Sequence, residues 1–474
     1  MGMNKELEAR VDAYVDEVWE DVVRDIVQIV SHPSVVDAED AAPGAPFGAN
    51  VRAALDCGLG IAERLGYATG EDDGYLGWGD IPGERSTQVA TIAHVDVVPA
   101  GSGWVTDPFR VERRDGWLLG RGVADDKGPA VLSLYAGAFF LHEGITPRYT
   151  FRALLGCDEE VGMSDVHHYL ETHDDPAFLF TPDASFPVCN AEKGCFGGRF
   201  ASAPVADGTI RFWSGAEVSN AIPGESVVEL AVDASELPAP AAHVDRLRIE
   251  AVRPGVARIV ARGVGGHASM PEGTINAVAL IVDYLAEIHD LLAPAEQAYV
   301  ELLDVLTEDA YGEAAGVASA NEAFGPLTLN AGKIVMHEDG RIVLSVDIRY
   351  PDSTSGRELE ARLSALASKY DVAFEVSSTK SPFSVSAEHP AVQALLDVYR
   401  EVTGEPAEPF SMGGGTYARN FACAVSFGPE GDASELPDWV GPMHGANEGA
   451  SEAALRQALK IYILALVRLQ ELDL

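Results

Sequence analysis

TQVATIAHVDVV, residues 87–98, is the stretch on which the fold turns. Its β-branched and apolar residues run almost unbroken up to Pro99-Ala100-Gly101, the pattern of a buried strand. His94 and Asp96 stand two apart, so on a strand both side chains leave the same face at its C-terminal end. Ligands of open α/β sheets gather at that end. A His two residues from an Asp is also an ordinary satisfied polar pair, so these two residues alone decide little.

Working outward, strand and helix patterns alternate. Residues 5–30 place Leu7, Val11, Val15, Val18, Val22, Ile26 and Val30 at helical spacing, and Pro33 ends that helix by restricting its predecessor. A second helix is expected over 49–66 and a third after Pro129, with a buried strand at 149–156 (YTFRALLG). Alternation of this kind predicts an α/β fold, a mixed central sheet flanked by helices. From about residue 189 the texture changes to short β-like runs, RIEAVRPGVARIVARG and GRIVLSVDIRYP, around helical stretches near 275–292 and 357–369. The acidic segment 293–326 is undecided. Alternation returns over 388–474 and closes with a helix at 450–472. The expected organisation is an α/β domain of residues 1–188 and 384–474, interrupted by an inserted α+β domain at 189–383.

Composition narrows the function. The chain has 474 residues, 33 Lys+Arg against 74 Asp+Glu and a net charge of −41. Phosphate binding needs a basic face, so neither nucleic acid nor an anionic membrane is expected as a partner. The five cysteines are scattered and odd in number, which fits a reducing compartment. The charged N-terminus lacks the apolar core of a secretory signal, and no apolar run reaches about 18 residues. A cytoplasmic location is expected.

Chemistry concentrates at strand ends. Gly120-Arg121-Gly122-Val123-Ala124-Asp125-Asp126 precedes Lys127-Gly128-Pro129, where Pro129 suits a first helical turn. The two aspartates could cap that helix, or one could bridge metal ions. Asp158-Glu159-Glu160 follows the strand 149–156, and three adjacent carboxylates repel unless cations or protons relieve them. A solvated acidic loop is the plain alternative. Asp183 follows AFLFTP, and His444 lies in the Gly-rich GPMHGANE before the last helix. Two histidines and three carboxylates, with a carboxylate left over as base, are the inventory for two divalent ions sharing one bridging ligand.

HVDVVP, GRGVADDKGP, CDEEVGM, TPDASFP, GGHASMPEGTINA, DIRYP, SMGGGTYARNFA and GPMHGANE together resemble the two-zinc metallopeptidases that include carboxypeptidase G, aminoacylase and succinyl-diaminopimelate desuccinylase. Within that clan the chain most resembles bacterial dipeptidases of the peptidase V type, related to carnosinases. The likeness covers nearly the whole chain, and it makes 189–383 the lid and substrate-binding domain of a catalytic domain.

The resemblance implies hydrolysis of dipeptides with free termini, using a metal-bridging water activated by Glu159; the alternative within the clan is an N-acyl or N-succinyl amino acid amidohydrolase. It implies two divalent ions per chain, Zn²⁺ before Mn²⁺ or Co²⁺. His94, Asp125 and Asp183 would hold one, and Asp125, Glu160 and His444 the other. Asp96 would accept the second ring N–H of His94. His267 would stabilise the oxyanion and Asn220 would touch the substrate. Arg349, which could equally be a structural partner of Asp347, would clamp the substrate's carboxylate bidentately, aided by Gly414, Gly415 and Thr416. A monomer is favoured, with a homodimer as the alternative.

Overall fold

In the computed structural model, which describes residues 5–205, 207–431 and 433–474, the strand Arg85–His94 ends on the histidine itself. Its last six residues are buried, and it runs parallel to a neighbour on each side, Tyr149–Gly156 and Phe178–Thr181. A strand covered by helices on both faces needs apolar residues on both, hence the continuous run. Ala424–Ser426 adds a fourth parallel strand beyond Phe178–Thr181. On the other side Leu76–Ile81 and Ala68–Asp72 join antiparallel, so the sheet is mixed as expected. The strand stops at residue 94 rather than 98 because the Val95 amide makes the last ladder bond and the Val97 amide turns away from the sheet. Val95 N–H donates to the Gly156 carbonyl and Val97 N–H to that of Ser34.

The chain divides into two compact units. The first comprises Met1–Asn190, Ser384–Phe410 and Gly415–Leu474; the second comprises Ala191–Phe383 and Ser411–Gly414. The expected insertion at 189–383 leaves out the short return Ser411–Gly414, which places the boundary inside the GGGT sequence.

In the first unit the helices Lys5–Val30, Ala49–Arg64 and Glu452–Gln470 each bury one stripe. The helix Lys127–His142 differs, being buried on all sides from Lys127 to Phe140. Tyr14 and Tyr67 donate their hydroxyls to its carbonyls at Tyr135 and Leu134. Gly137 lets it press onto the sheet: a Cβ there would lie 2.1 Å from Phe151 Cε1 and 2.3 Å from the Tyr67 hydroxyl oxygen.

The second unit is built on an eight-stranded antiparallel sheet in the order Leu247–Arg253, Val256–Arg262, Glu225–Leu230, Ile210–Ser214, Thr328–Met336, Ile342–Tyr350, Gly194–Ala201, Ala373–Lys380. Strict alternation of burial along Ile342–Tyr350 marks one covered and one open face. Helices Ala277–Glu287, Pro294–Thr307 and Gly356–Lys369 contribute to the core on the covered face. The undecided segment 293–326 thus begins as helix. Glu296 anchors it by accepting the amides of Ala293, Thr209 and Ile210. Among the described residues no helix is long and apolar enough to cross a membrane.

Substituting Gly137→Ala forces a methyl group into this contact. We expect a loss of about 1–3 kcal/mol of stability, read as a lower urea midpoint with an unchanged slope.

Candidate metal centre

Three of the four parallel strands deliver an expected site residue at the same edge. Arg85–His94 ends on His94, Tyr149–Gly156 leads to Glu159 and Glu160, and Phe178–Thr181 leads to Asp183. Two loops complete the set, carrying Asp125 and His444.

Asp125 sits at the centre. Its Oδ1 is 2.9 Å from His94 Nε2 and its Oδ2 is 2.9 Å from His444 Nε2. One carboxylate thus offers a different oxygen to each imidazole. Glu160 Oε1 lies 3.2 Å from His444 Nε2, and Asp183 Oδ2 lies 4.0 Å from His94 Nε2. His94, Glu159 and Asp183 each bring a ligand atom within 4.8 Å of the others, as do His94, Asp125 and Glu160. His94 is fully buried, whereas Glu159, Glu160 and Asp183 remain partly open to solvent.

Asp96 meets the His94 ring with both its backbone carbonyl and its carboxylate. His94 Nδ1 is nearest the Asp96 backbone carbonyl, at 3.0 Å, and stands 3.4 Å from the carboxylate. The carboxylate also accepts the amides of Glu159 and Glu160, at 3.2 and 3.1 Å, and so fixes the acidic loop beside His94. Asp126 does not cap the helix with its side chain; it accepts the backbone N–H of His94 at 3.2 Å.

Two residues not singled out beforehand hold the Asp125 loop. Glu448 and Arg121 form an ion pair with both side chains buried. Glu448 Oε1 also accepts the amides of Gly122, Ala124 and Asp125, at 3.0, 3.1 and 3.3 Å. Arg121 donates to the Gly445 carbonyl at 3.2 Å, which ties in the His444 loop. A third unanticipated residue, Glu430, follows the fourth parallel strand, and its backbone N–H donates to Ala184 beside Asp183.

The electrostatics show a shortage of positive charge. Burial and then the Asp125 charge push Asp183 up to about 7. Burial and then Asp183 raise Glu159 well above the usual carboxylate range, and burial does the same to Asp126 and Glu430. Burial opposes ionisation of Asp125, but hydrogen bonds from His444 and His94 hold it below its ordinary value. Those bonds, with Glu160, push His444 up to about 10. Two imidazoles do not balance Asp125, Glu159, Glu160 and Asp183. Divalent cations would, and a mixed His/carboxylate donor set suits first-row ions.

In the second unit, strands Ala221–Ile222 and Gly266–His267 pair, bringing Asn220 beside His267: Ala268 N–H donates to the Asn220 carbonyl at 2.8 Å. Arg349 lies on the strand Ile342–Tyr350 of the same unit. Arg349 gives Nε and one NH2 hydrogen to Asp347, at 2.6 and 3.2 Å, and its NH1 donates to the Gly413 carbonyl and Cys195 Sγ. Of five guanidinium hydrogens one remains, enough for a single bond to a carboxylate. Thr416 is likewise committed. It is 3% exposed, and its hydroxyl caps the turn Tyr417–Asn420 while meeting Ser426 at 3.0 Å. Gly414 and Gly415 flank the unit boundary, and a Cβ at Gly414 would meet nothing within 4 Å.

Comparison with known proteins agrees along the chain. Residues 90–468 match the model of Peptidase family M20/M25/M40. The chain is 33% identical to YtjP of Bacillus subtilis over 86% of this chain and 90% of that one. It is 28% identical to the Beta-Ala-Xaa dipeptidase of Lactobacillus delbrueckii subsp. lactis over 94% and 96%. Among solved structures, human carnosine dipeptidase 1 matches with a TM-score of 0.60 at 14% identity, covering 98% of this chain and 99% of that one. Saccharomyces cerevisiae Dug1p gives 0.61 at 11%, with the same coverage. At these identities the two structures speak for the fold.

Removing Glu448 should be costly. Glu448→Ala leaves the Arg121 charge buried without its partner, and we expect about 3–5 kcal/mol of lost stability in urea denaturation. Metal-free protein should also lose stability as pH rises. Burial pushes Asp165, Asp183 and Glu448 each up to about 7, so each binds its proton more tightly folded than unfolded. Their contribution is full below the ordinary carboxylate value and is lost as pH rises through about 7; His444 acts in the same direction toward about 10. Asp125, held low, loses its contribution only as pH falls below its ordinary 3.8. Calorimetry in chelator should therefore give a lower Tm at pH 8 than at pH 5, and saturating divalent ion should shrink that difference.

Proposed function

The chain belongs to Peptidase family M20/M25/M40, and from that premise we propose that it is a metal-dependent dipeptidase acting on dipeptides with free termini. The observation that carries this reading is Asp125, whose two oxygens meet two different histidines among further carboxylates. The near full-length likeness to a Beta-Ala-Xaa dipeptidase supports the substrate class, β-alanyl dipeptides included.

His94, Asp125 and Asp183 would hold one divalent ion, and Asp125, Glu160 and His444 a second. Bound there, such ions would lower the pKa of a water and polarise the scissile carbonyl. Zn²⁺ is proposed as the native ion, with Mn²⁺ and Co²⁺ as substitutes that the same donors accept. Glu159 takes the proton of the attacking water and later gives it to the leaving amine. Its raised pKa, caused by burial and then by Asp183, supports both halves of that cycle, since it makes the carboxylate a stronger base and lets the carboxyl carry the proton to the amine. Asp96 keeps Glu159 in place through the amide it accepts. In the second unit His267 would stabilise the developing oxyanion and Asn220 would touch the substrate. The one remaining Arg349 hydrogen and the backbone at Gly414-Gly415 would meet the terminal carboxylate. The five free cysteines support a reducing, cytoplasmic setting. A monomer is the proposed state, and light scattering should return about one chain mass, 50.3 kDa.

A panel of α- and β-alanyl dipeptides against N-acetyl and N-succinyl amino acids, with Zn²⁺, Mn²⁺ or Co²⁺ supplied, tests the substrate class. Dipeptides should be turned over and blocked amino acids left; the reverse preference would replace this reading by the amidohydrolase. Glu159→Gln should bind metal normally and lose about 10²–10⁴-fold in kcat. Wild-type turnover by that variant would remove Glu159 as the base.

A further inference from the structure

His267 is placed by a short turn of its own. Its Nδ1 lies 2.7 Å from the Ser269 hydroxyl oxygen, and the Ser269 backbone N–H donates to the same nitrogen at 3.2 Å. A backbone N–H can only donate, so Nδ1 must present its lone pair, and in the neutral ring the proton then resides on Nε2. The turn is closed by Met270 N–H donating to the His267 carbonyl at 3.0 Å.

Ser269 is in turn held by the loop carrying the triple glycine. Gly413 lies so close that a Cβ there would be 2.3 Å from Ser269 Cβ and 2.9 Å from its Oγ. The Gly413 carbonyl accepts from Arg349 NH1 at 2.8 Å, and Arg349 is itself anchored on Asp347. A continuous chain of contacts within the second unit therefore runs from Asp347 through Arg349, Gly413 and Ser269 to His267.

We propose that Ser269 is the positioning residue that makes His267 an Nε2–H donor, and that Gly413, carried by Arg349, is the wall that keeps Ser269 in place. The proposal rests on the reading of His267 as the group that meets the oxyanion. That task needs a hydrogen-bond donor, and the other tautomer would turn an Nε2 lone pair toward the developing negative charge. It also gives the first glycine of the triplet a reason to be glycine: any side chain there displaces Ser269.

Nitrogen NMR of the intact, ¹⁵N-histidine-labelled protein reads the tautomer directly, with His267→Ala identifying the resonances. The neutral His267 ring should show a protonated Nε2 and an unprotonated Nδ1; a proton on Nδ1 overturns the proposal. Ser269→Ala removes one of two hydrogen bonds to Nδ1, so its signal should shift and kcat fall about 2- to 10-fold with KM nearly unchanged. Gly413→Ala should shift the same resonance through Ser269. If Ser269→Ala changes neither the spectrum nor kcat, Ser269 has no positioning role. If His267→Ala retains full turnover while the tautomer is as described, the oxyanion reading of His267 fails and the tautomer assignment stands.

Discussion

The first unit depends on one shared carboxylate. Asp125 can serve two histidines only if its loop is rigid, and the rigidity comes from elsewhere in the chain. Glu448, 323 residues further on, accepts the amide of Asp125 and those of Gly122 and Ala124 just before it. The pairing of Arg121 with Glu448 compensates both buried charges, and Arg121 also secures the loop of His444 through Gly445. A single buried ion pair therefore sets the distance between the two sides of the centre. Such pairs contribute little net stability compared with apolar packing, but breaking one is expensive, which suits them to fixing geometry.

The parallel sheet supplies the other half of the arrangement. Strands that point the same way release their chains at one edge, so residues distant in sequence converge without any loop having to be long. The cost is electrostatic, because carboxylates crowd where there is little water. Burial and then Asp125 push Asp183 upward, and burial and then Asp183 do the same to Glu159. In the cation-free chain His94 and His444 carry that load, each close to Asp125 through Nε2. A divalent ion would take the place of those protons, so binding should release them.

What could be read in the sequence follows from the range of the interactions involved. Runs such as 87–98 and 149–156 are legible because burial on both faces leaves a continuous apolar pattern, and the residues at their ends come with them. The helix Lys127–His142 is legible from Pro129 and length, not from amphipathicity, since it has no solvent face. Glu448 and Arg121 were not legible: each reads as an ordinary surface charge until a partner 327 residues away is known. Glu430 was hidden because its strand, Ala424–Ser426, has three residues, too short for any periodicity. The strand-end rule applied to CAVSFGPE would have found it. Arg349 shows the opposite limit. The sequence left two readings open, and only the bonds to Asp347, Gly413 and Cys195 show how few of its donors are left over.

The two histidines that begin HVD and HAS make a final comparison. In each, Nδ1 is set by the residue two positions later, but in opposite senses. His94 Nδ1 faces the Asp96 carbonyl, which can only accept, so the ring keeps a proton there and Nε2 can present its lone pair to a cation. His267 Nδ1 faces the Ser269 amide, which can only donate, so the proton is on Nε2. One imidazole is thereby prepared as a ligand and the other as a donor. The difference lies in whether the backbone turns a C=O or an N–H toward the ring. At His94 the chain is leaving a parallel strand, and at His267 it is entering a tight turn.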